Sequence, residues 1–233
     1  MQEGPTWPAA RGHRRGLQRF PRGCPAVGQH KHFGTEASPF IRQSGIVKVK
    51  NASGRILCGW ELKPYATLYS PFAQVLFLDA DNGPVRDPIY LRHPQFDEHG
   101  AIFWPDCACW TLKPDVWQIF GMDWMVPQAQ KEIAFESGQY LIDKTRCWRE
   151  LRMALWYAEH SDYVFRVVYG DKECFHLARR FLGTEYAMGP HPPGWNQHTI
   201  VQYDFDGQVI FQHRCQDKWK LGGGNRRNNS LAN

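Results

Sequence analysis

The sequence predicts an α/β domain, and three patterns support that fold class. Val75-Leu76-Phe77-Leu78 is a run of four apolar residues between polar turn residues, which is typical of a buried strand. Segments at about 145–159 and 171–182 carry apolar residues at spacings of three and four, which is typical of helices. Asp206-Gly207 separates two strand-like runs and predicts a short hairpin. Strands that alternate with helices before a final hairpin indicate an α/β domain.

The 233-residue chain is long enough for one domain with appendages. Residues 1–44 are rich in Pro, Gly, Arg and His and lack apolar periodicity, so we expect a disordered or poorly packed segment. An ordered domain is expected over 45–221. The Gly- and Asn-rich residues 222–233 predict a flexible tail.

Elements can be assigned along the chain from residue patterns. Short strands are predicted at 46–49, 101–104 and 140–143, in addition to the run at 75–78, and short helices at 59–69 and 114–120. The helix at 145–159 should bury one apolar face, formed by Trp148, Leu151, Leu155 and Ala158. Asp171 should cap the next helix.

Composition excludes some classes of partner. The net charge of +5 is modest, and much of it comes from arginines near the two ends of the chain, which argues against nucleic acid as a partner. Seven cysteines at irregular spacing predict reduced thiols in a reducing compartment. The sequence shows no apolar run of transmembrane length and no signal peptide. We therefore expect a cytoplasmic protein with at most peripheral membrane contact.

The apolar run at 75–78 delivers two carboxylates, Asp79 and Asp81, to its C-terminal end, where Gly83 and Pro84 break the chain. Ligands of open α/β sheets bind at that end of the strands, and paired carboxylate oxygens suit Mg²⁺ or Mn²⁺. The pattern indicates a metal site, although Asp and Asn before Gly-Pro are also ordinary turn formers.

Six short blocks carry a resemblance that covers roughly residues 55–220. The blocks are Gly59-Trp60-Glu61-Leu62-Lys63-Pro64-Tyr65-Ala66, residues 79–88, Trp104-Pro105-Asp106, Glu136-Ser137-Gly138-Gln139, Gly170-Asp171-Lys172, and His213 followed by Lys218-Trp219. In this order they resemble glycosyltransferases of the fungal Golgi α-mannosyltransferase type and their bacterial relatives. Leu78-Asp79-Ala80-Asp81 resembles the Asp-x-Asp signature of GT-A folds.

The resemblance implies a GT-A-like nucleotide-diphospho-sugar transferase fold, with a mixed central sheet flanked by helices and an incomplete N-terminal part. It implies transfer of a hexose from a nucleoside-diphosphate sugar to a hydroxyl of a glycan acceptor, with retention of configuration and GDP-mannose as the suggested donor. It also implies Mn²⁺ or Mg²⁺ as cofactor, held by Asp79, Asp81 and His213. His213 on its own would more often be a structural histidine.

Donor contacts are assigned in part by the same resemblance, which places Lys218 on the diphosphate. A dication and a lysine there would stabilise the negative charge that develops on the leaving group. Lys63 is a second candidate for this contact, or else a solvated helix lysine. Gly138 would let the backbone approach the donor, and Gln139 would contact the sugar or simply begin a strand.

Two carboxylates, Glu136 and Asp171, are the expected catalytic residues on the sugar side. A carboxylate there can bind hexose hydroxyls or stabilise an oxocarbenium-like centre. For Asp171 a plain helix cap is the alternative reading. No residue is expected to act as a nucleophile.

Other functions and another location stay open at this stage. A non-catalytic remnant could bind a glycan or a protein partner through aromatic residues, which make up 14% of the chain. A metal-dependent hydrolase of phosphorylated sugars would release free sugar instead of a glycoside. A Golgi location is expected if the chain is a truncated eukaryotic relative of the family it resembles.

Overall fold

The computed structural model describes residues 49–51, 54–107 and 112–215. The strands are β1 (Val49–Lys50), β2 (Ile56–Leu57), β3 (Gln74–Leu78), β4 (Asn82–Pro84), β5 (Ala101–Pro105), β6 (Phe135–Asp143), β7 (Ala187–Met188), β8 (Gly194–Asn196), β9 (Thr199–Tyr203) and β10 (Val209–His213). The α-helices are α1 (Leu62–Tyr69), α2 (Pro94–His99), α3 (Pro114–Ile119), α4 (Trp148–Glu159), α5 (Ser161–Val164) and α6 (Asp171–Leu182). Short 3₁₀ helices cover Gly59–Glu61, Pro88–Leu91 and Asp123–Lys131.

Two four-stranded sheets organise these elements. The first has the order β3-β6-β5-β7, in which β6 is antiparallel to both neighbours and β5 is parallel to β7. The second, β4-β10-β9-β8, is antiparallel throughout, and β1 pairs with β2 separately. The prediction of an α/β fold with a mixed sheet is therefore confirmed.

The central strands β5 and β6 are buried on both faces, whereas β3 lies at the edge of the sheet. The run 75–78 was predicted to be a buried strand, but only Phe77 of these four residues is buried, because an edge strand is covered less completely. Phe77, Phe103 and Tyr140 belong to the core that the sheet shares with the helices. Ile102 and Trp104 belong to a smaller core that includes residues of β10. Helices α1, α4 and α6 pack against one another, and α6 also contacts β6.

Strand β6 is longer than the sequence predicted, and it includes residues of low strand propensity. The expected strand covered only 140–143, whereas β6 begins at Phe135. Its central position explains the difference, because β3 and β5 pair with it on both sides and override the weak strand propensity of Glu, Ser and Gly. As a result Glu136 and Gly138 lie inside a strand, with fixed directions for their side chains.

The helix predicted at 145–159 is confirmed but begins later, at Trp148. A turn precedes it, because Asp143 Oδ1 accepts hydrogen bonds from the backbone N–H groups of Thr145 and Arg146. Trp148 was expected on the apolar face but is 52% exposed. The other three predicted residues are buried: Leu151, Leu155 and Ala158.

Helix α6 is also confirmed, with a different cap. Gly170 occupies the N-cap position, and Glu173 Oε2 accepts its backbone N–H at 2.9 Å. Asp171 is the first helical residue, so its prediction as the cap was wrong. Its carboxylate lies at the ammonium of Lys63 instead.

The predicted hairpin at Asp206-Gly207 is confirmed by the antiparallel pairing of β9 with β10. Strand β10 also pairs with β4, which places His213 opposite Asn82. The hairpin therefore carries the last histidine of the chain to the strand that follows the Asp79–Asp81 turn. This pairing is what assembles the site described below.

Several predictions lie outside the described residues: the disordered segment 1–44, the tail 222–233, most of the strand at 46–49, and Lys218. None of the described helices is both long and apolar enough to span a membrane.

Cys58 is disulfide-bonded, so the expectation of reduced thiols is wrong at that residue. Cysteine spacing alone cannot identify such a pair.

Candidate active site

Three side chains with metal-binding chemistry converge at the end of β3. Asp79, Asp81 and His213 each offer one ligand atom, and these atoms all lie within 4.8 Å of one another. His213 Nε2 lies 3.2 Å from Asp81 Oδ1 and 4.0 Å from Asp79 Oδ2. The structure therefore brings together the two carboxylates and the histidine that the sequence analysis selected.

The backbone of a tight turn fixes the two aspartates. The chain reverses after β3, where the Asn82 N–H donates to the Asp79 carbonyl at 2.9 Å. Strand β10 then holds the far side of the turn, since the Arg214 N–H donates to the Asp81 carbonyl at 2.9 Å. His213 precedes Arg214, so the same strand end anchors the turn and delivers the imidazole.

His213 is buried between carboxylates. Its Nδ1 lies 3.3 Å from Glu136 Oε1, and its Nε2 faces Asp81. Burial disfavours the imidazolium, but the contacts with Asp81 and Glu136 outweigh that penalty and raise the pKa of His213 to about 9. Among the described residues, neither ring nitrogen has a well-aligned hydrogen-bond partner.

Glu136 is oriented by the backbone of its own strand. Its Oε1 accepts the Gly138 N–H at 2.7 Å, next to its contact with His213. Burial acts to raise the pKa of Glu136, but His213, the Gly138 N–H and Lys63 lower it to about 2. Glu136 is therefore an ionised group that faces the imidazole from the side opposite to the aspartates.

Gly138 makes room for this arrangement. A Cβ at this position would lie 2.5 Å from His213 Nδ1 and 2.9 Å from Glu136 Oε1, closer than any side chain tolerates. Gly138 was predicted to let a donor approach the backbone closely. The structure shows a close approach by the imidazole of His213.

Lys63 is a buried cation shared by two carboxylates. Its Nζ lies 2.9 Å from Asp79 Oδ2 and 3.0 Å from Asp171 Oδ2. It also donates to the carbonyl and the hydroxyl of Ser137, both at 3.1 Å. Burial lowers the pKa of Lys63, but Asp171 and Asp79 outweigh burial and raise it above its usual range. Lys63 is thus not a solvated helix lysine, and it links the metal-binding end of the site to Asp171.

The start of α6 is held by a second buried ion pair. Lys172 pairs with Asp106, which follows β5. The backbone N–H of Asp106 donates to the Ala134 carbonyl at 2.9 Å, just before β6 begins. This pair fixes the turn of α6 that carries Asp171, next to the Lys63 ammonium.

Gln139 is fully buried and contacts the residue that follows the Asp79–Asp81 turn. Its Oε1 accepts a hydrogen bond from the side-chain amide of Asn82, which also donates to the Gly138 carbonyl at 2.8 Å. The Asp79 N–H donates to that same carbonyl at 2.9 Å. Asn82 and Ser137 were not predicted as site residues, because their roles depend on contacts across the sheet.

The donor set fits a divalent cation. Carboxylate oxygens are ligands that Mn²⁺ and Mg²⁺ prefer, an imidazole can complete the set for a first-row metal such as Mn²⁺, and softer metals prefer thiolates. Glu136 at Nδ1 favours the tautomer that leaves Nε2 free to coordinate, as outer-shell carboxylates do in metal sites. His213 Nε2, buried without an aligned partner among the described residues, is the atom that such an ion would satisfy.

Comparisons with known proteins identify relatives. The sequence matches a family model described as "Mannosyltransferase putative" over residues 34–134 and 125–213. Alpha-1,2-mannosyltransferase MNN5 of Saccharomyces cerevisiae is 23% identical over 230 residues, covering 76% of this chain and 39% of the relative. MNN2 of the same yeast is 25% identical over 218 residues, covering 72% and 36%. MNN24 of Candida albicans is 26% identical over 170 residues, covering 56% and 23%.

The chain spans less than two fifths of the length of these curated relatives. The matched residues of the family model nevertheless include the whole cluster described above, from Lys63 to His213. The similarity therefore covers the part of the fold that assembles the site.

Proposed function

The chain belongs to the mannosyltransferase family whose model it matches, and on that premise we propose that it is a metal-dependent glycosyltransferase. The proposed reaction transfers a hexose from a nucleoside-diphosphate sugar to a hydroxyl of a glycan acceptor. GDP-mannose is the proposed donor, since the relatives are named as mannosyltransferases. The proposed fold is of the GT-A type, which the Asp-x-Asp turn at the end of strand β3 supports.

One observation carries this proposal: the convergence of Asp79, Asp81 and His213. The three side chains come from a turn and a strand far apart in sequence, yet their ligand atoms lie within 4.8 Å of one another. We propose that they hold Mn²⁺, or Mg²⁺ in its place. When bound, the cation would neutralise the charge that develops on the diphosphate leaving group.

The chain's own residues supply the rest of the site. Glu136 fixes the imidazole of His213 and serves the site through that contact. Lys63 holds Asp79 and Asp171 at a common ammonium, so it sets the direction of one metal ligand and of the carboxylate proposed to face the sugar. Because these groups are fixed before substrate binds, they need little rearrangement during the reaction.

Other assignments complete the proposal. Asp171 is proposed to bind hexose hydroxyls or stabilise an oxocarbenium-like centre. Gly138 and Gln139 are proposed to shape the donor site through their contacts with His213 and Asn82. Lys218 is proposed to reach the diphosphate. Transfer is proposed to retain the anomeric configuration, with no side chain assigned as nucleophile.

A location in the secretory pathway is part of the proposal. The disulfide at Cys58 supports it, because disulfides persist in oxidising compartments such as the lumen of the endoplasmic reticulum. The Golgi alternative is thereby favoured over a cytoplasmic one.

Calorimetric titration of nucleotides tests the metal-dependent donor site. We expect GDP to bind the parent protein only with Mn²⁺. Asp81→Asn should weaken that binding by about 10-fold or more, because it removes the negative charge of a proposed metal ligand. Asp97→Asn removes an exposed carboxylate on α2 and serves as the matched control.

Two results would refute the assignment. If Asp81→Asn binds GDP with Mn²⁺ as tightly as the parent, these aspartates do not hold the metal. If GDP and UDP both fail to bind with Mn²⁺, the reading as a non-catalytic remnant replaces the transferase.

A further inference from the structure

Two exposed aromatic side chains flank the buried pair Lys63–Asp171. Trp60 lies three residues before Lys63, in the 3₁₀ turn that leads into α1. Tyr169 lies two residues before Asp171, just ahead of α6. Trp60 is 43% exposed and Tyr169 is 66% exposed, whereas both members of the ion pair are buried. The two rings therefore stand at the surface outside the ion pair.

Both rings are held in place by the segment that carries Asp171. A Cβ added at Gly170 would lie 3.6 Å from Trp60 Cε3, so the indole packs beside the backbone between Tyr169 and Asp171. Lys172 Nζ lies 5.3 Å from the centroid of the Tyr169 ring, which is within the range of a cation–π contact. Lys172 is itself fixed by Asp106. The rings are thus tied to the elements that build the site.

We propose that Trp60 and Tyr169 form the acceptor subsite, where they bind one hexose unit of the glycan acceptor. This inference rests on the proposed function and specifies its second substrate. It assigns the two residues to binding and gives them no part in the chemistry.

The chemistry of a hexose suits such a surface. A hexopyranose presents C–H groups on one face, and these pack on the electron-rich face of an aromatic ring. Its hydroxyls lie around the rim, and the Lys172 ammonium is a polar group close to the Tyr169 ring. Aromatic side chains also lose little conformational entropy on binding, because they have only two rotatable bonds.

The position of the two rings favours the acceptor over the nucleotide. In the proposed site the diphosphate lies at the Asp79 end, and Lys63 connects that end to Asp171. The transferred hexose then lies toward Asp171. Tyr169 and Gly170, against which Trp60 packs, directly precede Asp171 in the chain, so both rings are attached to the hexose end of the site. The nucleoside is attached to the other end of the diphosphate.

Binding of a linear α-1,2-linked mannotriose tests the subsite without turnover. Dissociation constants would be measured by calorimetry for the parent, Trp60→Ala and Tyr169→Ala, with GDP and Mn²⁺ titrated in parallel. We expect each substitution to weaken mannotriose binding by roughly 10-fold, as loss of one stacked ring implies. GDP binding with Mn²⁺ should stay within about 2-fold.

The chain offers matched controls for both rings. Trp148 is 52% exposed at the start of α4, near the opposite end of β6 from Glu136, and Tyr163 is 59% exposed on α5. Trp148→Ala and Tyr163→Ala should leave mannotriose binding unchanged. Trp60→Phe and Tyr169→Phe keep a ring and should retain most of the binding, while thermal midpoints verify that each variant is folded.

Several outcomes would overturn the inference. It fails if the parent does not bind mannotriose, if Tyr169→Ala binds it as the parent does, or if the control variants lose binding equally. Loss of GDP binding with mannotriose binding intact would make the rings a base-stacking site instead. If mannotriose binds through these rings but no nucleotide binds with Mn²⁺, the subsite stands and the proposed transferase activity fails.

Discussion

Replacing Gly138 with alanine should disrupt the candidate metal centre without unfolding the protein. The added Cβ would lie 2.5 Å from His213 Nδ1, 2.8 Å from His213 Cε1 and 2.9 Å from Glu136 Oε1. Carbon does not approach nitrogen or oxygen that closely, so either the imidazole or the strand must move. The imidazole is a proposed metal ligand, and Glu136 contacts its other ring nitrogen.

The expected size of the effect follows from this geometry. Disturbing the partner that orients a ligand histidine typically costs about 10- to 100-fold in metal affinity. Overpacking by one methyl group in a filled site costs about 1–3 kcal/mol of the free energy of unfolding. Gly138→Ala should therefore bind Mn²⁺ about 10- to 100-fold more weakly and remain folded at room temperature.

Gly83 provides the matched control, because it lies in β4 next to the same turn. No described atom lies within 4 Å of a Cβ added at Gly83, so Gly83→Ala should change Mn²⁺ affinity little. Free Mn²⁺ measured by electron paramagnetic resonance gives the affinity, and urea denaturation gives the free energy of unfolding. If Gly138→Ala and Gly83→Ala bind Mn²⁺ equally well, His213 is not held as described.

Three further predictions concern charge, pH and the disulfide. Lys63→Met leaves Asp79 and Asp171 without their shared cation and should lower the free energy of unfolding by about 3–5 kcal/mol; urea denaturation that shows less than about 1 kcal/mol would contradict this. In metal-free protein, the folded-state pKa of His213 is raised from 6.5 to about 9, so its stabilisation is complete below pH 6.5 and is lost as the pH rises to 9. In His213→Gln, the free energy of unfolding measured by urea denaturation should fall less steeply with pH. Equal slopes in the two proteins would be evidence against the contacts of His213 with Asp81 and Glu136. Reductant should lower the free energy of unfolding of the parent by about 2–4 kcal/mol but should not change that of Cys58→Ser. Equal responses of the two proteins would argue against the disulfide at Cys58.

The parts of the site that are local in sequence could be predicted. The apolar run before Asp79 correctly predicted a strand but not its burial, because β3 lies at a sheet edge and only Phe77 is buried. The turn residues after the run correctly placed two carboxylates at the end of the strand. Asp206-Gly207 marked the hairpin, whose second strand ends at His213. These features depend on short-range patterning, which selected Asp79 and Asp81 as candidate ligands. The choice of His213 came from the family resemblance, since this histidine on its own would more often be structural.

Contacts between distant segments could not be predicted in the same way. The sequence did not indicate that Glu136 faces His213, because the two residues lie in different sheets whose packing is not visible in local patterns. It also did not indicate that Lys63 bridges two carboxylates, because that contact depends on how α1 and α6 pack. Residues 135–139 were not predicted as part of the strand at 140–143, because their strand structure depends on pairing with both neighbours in the assembled sheet.

The most direct test of the central claim is a transfer reaction with GDP-mannose, Mn²⁺ and α-1,2-linked mannobiose, analysed by mass spectrometry and by the anomeric NMR signal of the product. We predict a product one hexose heavier than the acceptor that forms only with Mn²⁺ and is lost in Asp81→Asn. The one-bond C1–H1 coupling of the transferred hexose should show that its α configuration is retained. Release of free mannose faster than any trisaccharide forms, or transfer that is equally fast without divalent metal, would contradict the proposed function.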